Sequence, residues 1–102
     1  MDSLVSKGVL EFVGTFVFLS VILSSTVKPD TSTIFAIGVG LMSAIFMVGG
    51  STGGHLNPAV SVMMWLKDSS SFTLPMLGVY VVAQLLGGAG AFLVQKTLMN
   101  KV

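Results

Sequence analysis

The sequence predicts an all-α membrane protein with three transmembrane helices and a fourth helix of about half their length. Composition is the first ground for this. The 102 residues are 53% hydrophobic and 9% charged, with a mean hydropathy of +0.95. Soluble domains average about 25% charged residues, so this chain lacks the side chains to cover a globular surface in water. The second ground is pattern: charges fall between apolar blocks, and the longest blocks approach the roughly 30 Å of a bilayer's hydrocarbon core. The third is one short block opened by Asn57-Pro58, a helix start in the middle of the chain. The same composition excludes several function classes. High hydrophobicity with little charge excludes disorder and argues against a water-soluble enzyme. Five Lys, no Arg and four acids give a net charge of +1, too small and scattered for a nucleic-acid partner. Cys is absent, which rules out a disulfide scaffold, thiolate metal sites and Cys catalysis.

The first span is predicted over residues 9–27, after Asp2 and Lys7. Its nineteen residues reach about 28 Å as a helix. Lys7 ahead of an apolar run that ends in small residues also fits a cleaved signal peptide, but Glu11 and the length of the run oppose that. Lys28-Pro29-Asp30 stops the helix, because Pro has no N–H and disfavours helix in the residue before it. Thr31, Ser32 and Thr33 offer caps for a second span over residues 34–48. Residues 49–54, Gly-Gly-Ser-Thr-Gly-Gly, read as a flexible break. The short helix follows: Asn57 is a preferred N-cap, Pro58 suits the first helical position, and residues 57–66 span about 15 Å. Spacing alone leaves two readings for it, a re-entrant half-helix or a loop leading into a surface helix. Residues 67–71 form a polar loop, and the third span covers residues 74–95 before Lys96, Asn100 and Lys101.

Ala36, Gly40 and Ala44 recur every four residues, as do Ala83, Gly87 and Ala91. Such ridges let helices approach closely in lipid and are read as packing surfaces. The seven Met and seven Phe are read as core or lipid-facing filler, and Trp65 as an interfacial residue.

The string Gly53-Gly54-His55-Leu56-Asn57-Pro58-Ala59-Val60-Ser61 resembles the first Asn-Pro-Ala loop of the aquaporin and glycerol-facilitator family, the major intrinsic proteins. Residues 11–16 (Glu-Phe-Val-Gly-Thr-Phe) resemble its first-helix signature, and residues 80–88, with Gln84, its third-helix signature. The matches fall in the family's order and cover nearly the whole chain. The resemblance implies half of an aquaporin-like fold, one inverted repeat of three spanning helices and one re-entrant half-helix over residues 49–66. No metal, nucleotide or haem motif appears in the sequence, so no cofactor and no metal are expected. The chain departs from the full family pattern in having one Asn-Pro-Ala string and no Arg, where the family's second string is usually followed by an Arg at the narrowest point.

What the resemblance implies for function is a passive channel for water or small neutral solutes such as glycerol. Asn57, Pro58 and Ala59 then sit at the pore, and the backbone of Gly53, Gly54 and His55 lines it. Glu11, His55 and Gln84 are expected to be buried polar supports of the loop, rather than a proton path. Ile37 occupies the position of a family constriction residue, and in an inverted pair it would lie near the further candidates Ile45 and Val60 of the second copy. This constriction is apolar and lacks the Arg donor, which leans toward small neutral solutes over strict water selectivity.

A single repeat needs a partner in the bilayer, either the same chain inverted or a separate second-repeat chain, and an oligomer is expected. With Lys7 and Lys67 on one side and Lys28, Lys96 and Lys101 on the other, the Lys bias is small and permits both orientations. Alternatives are a non-conducting membrane scaffold or assembly subunit, and a small proton-coupled exporter using Glu11. One His, no Cys and dispersed acids offer no catalytic arrangement. Multi-pass integral membrane localisation follows from the spans, while the particular membrane is open.

Overall fold

The computed structural model describes residues 3–100. Helix α1 covers Leu4–Ser25, α2 Thr31–Thr52, α3 Pro58–Lys67 and α4 Leu74–Val94, and a π-helical turn, Gln95–Met99, extends α4. Among the described residues three helices, the third counted through Met99, are long and apolar enough to cross a membrane. The fold is all-helical, and α3 is the half-length member. Asp2 and Lys101, both used in the sequence reading, lie outside the described residues.

Helix boundaries differ from the sequence reading where caps decide them. α1 starts at Leu4, not Val9, because the Ser3 hydroxyl accepts from the Ser6 N–H and caps the first turn. Lys7 therefore lies inside the helix near its end. The N-cap of α2 is Asp30, ahead of the Thr31–Thr33 group. Its carboxylate accepts from Ser32, and the Thr33 hydroxyl accepts in return from the Asp30 N–H, a reciprocal capping box. The break expected at residues 49–54 is corrected more substantially. Gly49, Gly50, Ser51 and Thr52 continue α2, and only Gly53 and Gly54 leave it. Glycine in a helix interior costs about 1 kcal/mol in water, an amount that packing on a neighbour overrides.

α1 lies between α2 and α4, whose backbones do not approach each other, and α3 rests on α4. Close approach comes from the small-residue ridges. Gly40 and Ala44 are buried against α1, and a Cβ on Gly40 would lie 2.8 Å from Val21. On α4, Ala83, Gly87 and Ala91 are buried, and a Cβ on Gly87 would lie 2.9 Å from the Phe12 carbonyl oxygen. That contact is backbone to backbone, so no side-chain movement could relieve it. The small apolar core, Ala44, Val48 and Leu56, sits where α1, α2 and the 53–57 loop meet. The outer faces are apolar, with Phe46 of α2 90% exposed. Water would not tolerate such a surface, whereas hydrocarbon does.

Candidate functional site

The loop from Gly53 to Asn57 turns the chain back on itself partway through the helix layer. Gly53 (φ 87°) and Gly54 (φ 64°) take left-handed conformations natural to glycine, and Gly53 caps α2 by donating its N–H to the Gly49 carbonyl. Leu56 is also left-handed at φ 56°. For a leucine that costs on the order of 1–3 kcal/mol. Two contacts hold it there. Its side chain is locked between Val48, Ala44 and the bare backbone of Gly14, where an added Cβ would lie 2.7 Å from Leu56 Cδ2. Its N–H donates to Glu11 at 2.9 Å.

Glu11 organises the loop. It is fully buried, and its two oxygens accept four hydrogen bonds. Oε1 accepts from the Leu56 N–H and from Gln84 Nε2, each at 2.9 Å. Oε2 accepts from the Thr52 hydroxyl at 2.7 Å and from the His55 N–H at 3.2 Å. A hydrogen bond to a charged group is worth about 1.5–3 kcal/mol, so four outweigh the backbone cost at Leu56. The four donors match the carboxylate's ordinary complement of acceptor sites, so both oxygens are committed to holding the loop.

Donor counting assigns the rest of the network. Gln84 must turn its amide nitrogen toward Glu11, because its oxygen would face a carboxylate that can only accept. The second amide hydrogen goes to Ser61 Oγ at 2.9 Å. Ser61 then has its own hydroxyl hydrogen for His55 Nδ1, 2.8 Å away. We therefore assign the neutral His55 ring as the Nε2–H tautomer. On its other side that ring meets Phe72 and Tyr80, both with centroids 4.9 Å away. The Tyr80 hydroxyl donates to the Thr52 carbonyl at 2.8 Å, the link that joins α4 to the end of α2.

Glu11, His55 and Gln84 thus meet in one cluster. Sequence reasoning did not single out Thr52, Ser61, Tyr80 and Phe72, which complete it. Helical spacing carried a signal for two of them. Thr52 continues the ridge Gly40, Ala44, Val48, and Tyr80 lies four residues before Gln84 on the same face. Phe72 carried none, since it is a loop residue brought in by tertiary folding.

The remaining named residues lie at the loop and along α2 and α3. Asn57 is exposed, and its side-chain oxygen accepts from the Ala59 N–H at 2.9 Å, which leaves Nδ2 pointing outward from the cap as a donor. Pro58 is half-buried and Ala59 exposed. Asn57 and Pro58 border a cavity of about 400 Å³ with Thr15, Phe18, Ile22, Leu56 and Gln84. Thr15 and Gln84 lie midway along α1 and α4, so α3 begins at the middle of the spanning layer. Thr15 Oγ1 and Gln84 Oε1, in that wall, are buried without a hydrogen-bond partner among the described residues. Ile45 lies beside Gly54, where a Cβ would come within 3.1 Å of it. Ile37 is half-buried two helical turns back along α2, and Val60 is half-buried on α3. Among the described residues no cluster of three His, Cys, Asp or Glu side chains could hold a metal ion.

Comparison with known proteins places these features in context. A family model described as Major intrinsic protein matches residues 2–102. The chain is 30% identical over 109 aligned residues to the propanediol uptake facilitator PduF of Salmonella typhimurium, covering 99% of this chain and 40% of that protein. It is 40% identical over 65 residues to aquaglyceroporin-4 of Botryotinia fuckeliana, covering 64% of this chain and 9% of that protein. It is 34% identical over 97 residues to aquaporin PIP1-2 of Musa acuminata, covering 81% of this chain and 37% of that protein. The chain therefore spans less than half the length of each of these relatives. No solved structure matches it significantly.

Proposed function

Because this chain belongs to the major intrinsic protein family, we propose that it builds one half of a membrane channel for water and small neutral solutes such as glycerol. One observation carries the proposal. A non-helical loop and the exposed Asn57 amide stand midway along the spanning helices, held by a buried carboxylate. Irregular backbone at that depth is tolerated only when protein covers it or an aqueous lumen runs past it.

The chemistry of passage follows from donors and acceptors. Backbone carbonyls of Gly53, Gly54 and His55 offer a line of acceptors, and Asn57 Nδ2 offers a donor at its inner end. A water or polyol hydroxyl is handed from one to the other. Pro58 and Ala59 open α3, whose N-terminus carries partial positive charge. Two such helix ends meeting at mid-depth repel cations and hydronium while leaving neutral solutes free. Ile37, Ile45 and Val60 supply the apolar wall.

One repeat has an open inner face, so a second repeat must close the lumen. We assign that role to a second copy inserted in the inverted orientation. Among the described residues Lys7 and Lys67 lie at one end of the helix layer and Lys28 and Lys96 at the other, a balance that permits both orientations. The exporter alternative is disfavoured because Glu11 is fully buried and bonded to the loop and its supports.

The test is osmotic shrinkage of liposomes carrying this chain alone, in an impermeant-solute gradient and then in a glycerol gradient. Fast shrinkage, followed by re-swelling in glycerol and lost in Asn57→Asp, is the expected result. Flux no greater than that of empty liposomes, with folded protein in the bilayer, overturns conduction by this chain alone.

A further inference from the structure

The segment between α3 and α4 is a polar connector by sequence, yet it ends against the loop. Asp68 closes it into a tight turn. Asp68 Oδ1 accepts from the Ser70 N–H and hydroxyl at 3.2 and 2.6 Å, and Oδ2 accepts from the Ser71 hydroxyl at 2.8 Å. The Asp68 carbonyl accepts from the Phe72 N–H at 3.0 Å, which sets the direction of the Phe72 side chain. Its half-buried ring packs 4.9 Å from the His55 ring and edge-on to Tyr80 at 4.8 Å. His55 is thereby held on two sides, by Ser61 at Nδ1 and by the two aromatic rings. Its backbone N–H makes the longest of the four bonds to Glu11, at 3.2 Å.

We propose that Phe72, fixed by the Asp68 turn, is a positioning residue for the backbone of Gly54 and His55, and so sets solute selectivity from outside the lumen. The proposal rests on the channel reading above. Its physical content is a continuous chain of contacts: the turn holds the ring, the ring holds His55, and His55 holds the carbonyls that the solute passes. Tyr80 ties the same aromatic group to the Thr52 carbonyl, at the entrance to the loop.

The experiment measures two quantities on the full chain, amide hydrogen exchange at His55 and Leu56 and the ratio of glycerol to water permeability in liposomes. Phe72→Ala is expected to speed exchange at His55 by roughly tenfold, with the Ala44 and Val48 amides unchanged. The permeability ratio is expected to shift by about threefold or more, since sub-ångström displacement of positioning groups changes selectivity steeply. Phe72→Tyr restores both, and Asp68→Ala moves both in the direction of Phe72→Ala. Wild-type exchange at His55 together with a wild-type ratio in Phe72→Ala overturns the proposal, as does exchange that accelerates equally at Ala44 and Val48. If Phe72→Ala does not fold, Phe72→Leu removes the ring and retains most of the volume, and unchanged exchange there overturns it equally. A wild-type chain that passes neither solute overturns conduction by this chain alone instead, and exchange at His55 still decides whether Phe72 positions the loop.

Discussion

Glu11 concentrates the structural stakes of the loop in one side chain. Its carboxylate is the only group in the cluster able to accept from two backbone amides, a hydroxyl and an amide side chain at once. In Glu11→Gln the new NH₂ group faces donors on whichever side it turns. Each buried donor left unpaired costs on the order of 1–3 kcal/mol. The variant is expected to melt well below wild type in detergent and to conduct poorly, and a wild-type melting temperature would remove Glu11 from its central place. Gly14 carries a comparable burden through shape. Gly14→Ala drives a Cβ to 2.7 Å from Leu56 and 3.2 Å from Val48, on the side chain that keeps Leu56 left-handed. Overpacking of this kind costs roughly 1–3 kcal/mol, measurable as a lowered melting temperature.

At the scale of elements, α1 is the hub and its two interfaces are built differently. Against α2 the close contact is glycine to the Val21 side chain, whose γ-carbons can rotate away although its Cβ at 3.0 Å cannot; against α4 it is Gly87 to the Phe12 and Phe16 backbone, where nothing can rotate away. Gly87→Ala is therefore expected to destabilise the fold more than Gly40→Ala. Gly78→Ala, on the same helix with nothing within 4 Å of an added Cβ, is expected to be tolerated. Equal melting temperatures for Gly87→Ala and Gly78→Ala would contradict the rigid-interface account. The start of α2 depends on pH. The Ser32 hydroxyl and amide favour the charged Asp30 carboxylate and hold its pKa below the ordinary 3.8. A depressed folded value means that the cap contributes fully above the ordinary carboxylate range and is lost as pH falls through the lower value. The Ser32 amide resonance should titrate with a midpoint below 3.8.

At the scale of the whole molecule, the questions concern how two repeats meet. A chain with near-balanced Lys residues is expected to insert both ways, and tags at the two ends report it: each end should be reachable from both sides of the membrane. A single orientation in every molecule removes the inverted homodimer. Val60→Arg places a charge and five donors beside the apolar wall and is expected to lower glycerol flux several-fold. Unchanged glycerol flux moves the constriction away from Val60.

Much of the protein was legible before folding because lipid leaves few solutions. Blocks of apolar residues between charges must be spanning helices, an Asn-Pro pair must open a helix, and small residues every four positions must face a neighbouring helix. The membrane class, the helix order, the half-length α3 and the small-residue packing ridges were therefore legible in the sequence, while the helix that those ridges face was not. Two kinds of fact were decided only by tertiary structure. The first is where a helix stops when its own residues do not favour stopping or continuing. Gly49 and Gly50 read as a break, yet α2 continues to Thr52, where a hydroxyl can reach Glu11. The second is the company a buried polar group keeps. Thr52, Ser61, Tyr80 and Phe72 come from four separate segments, and only the crossing of α1, α2 and α4 brings them to the loop. Periodicity reports which face of a helix turns inward, because that is a local property of the chain. It cannot report which side chains from distant segments share the space there, because that depends on the packing of every helix at once.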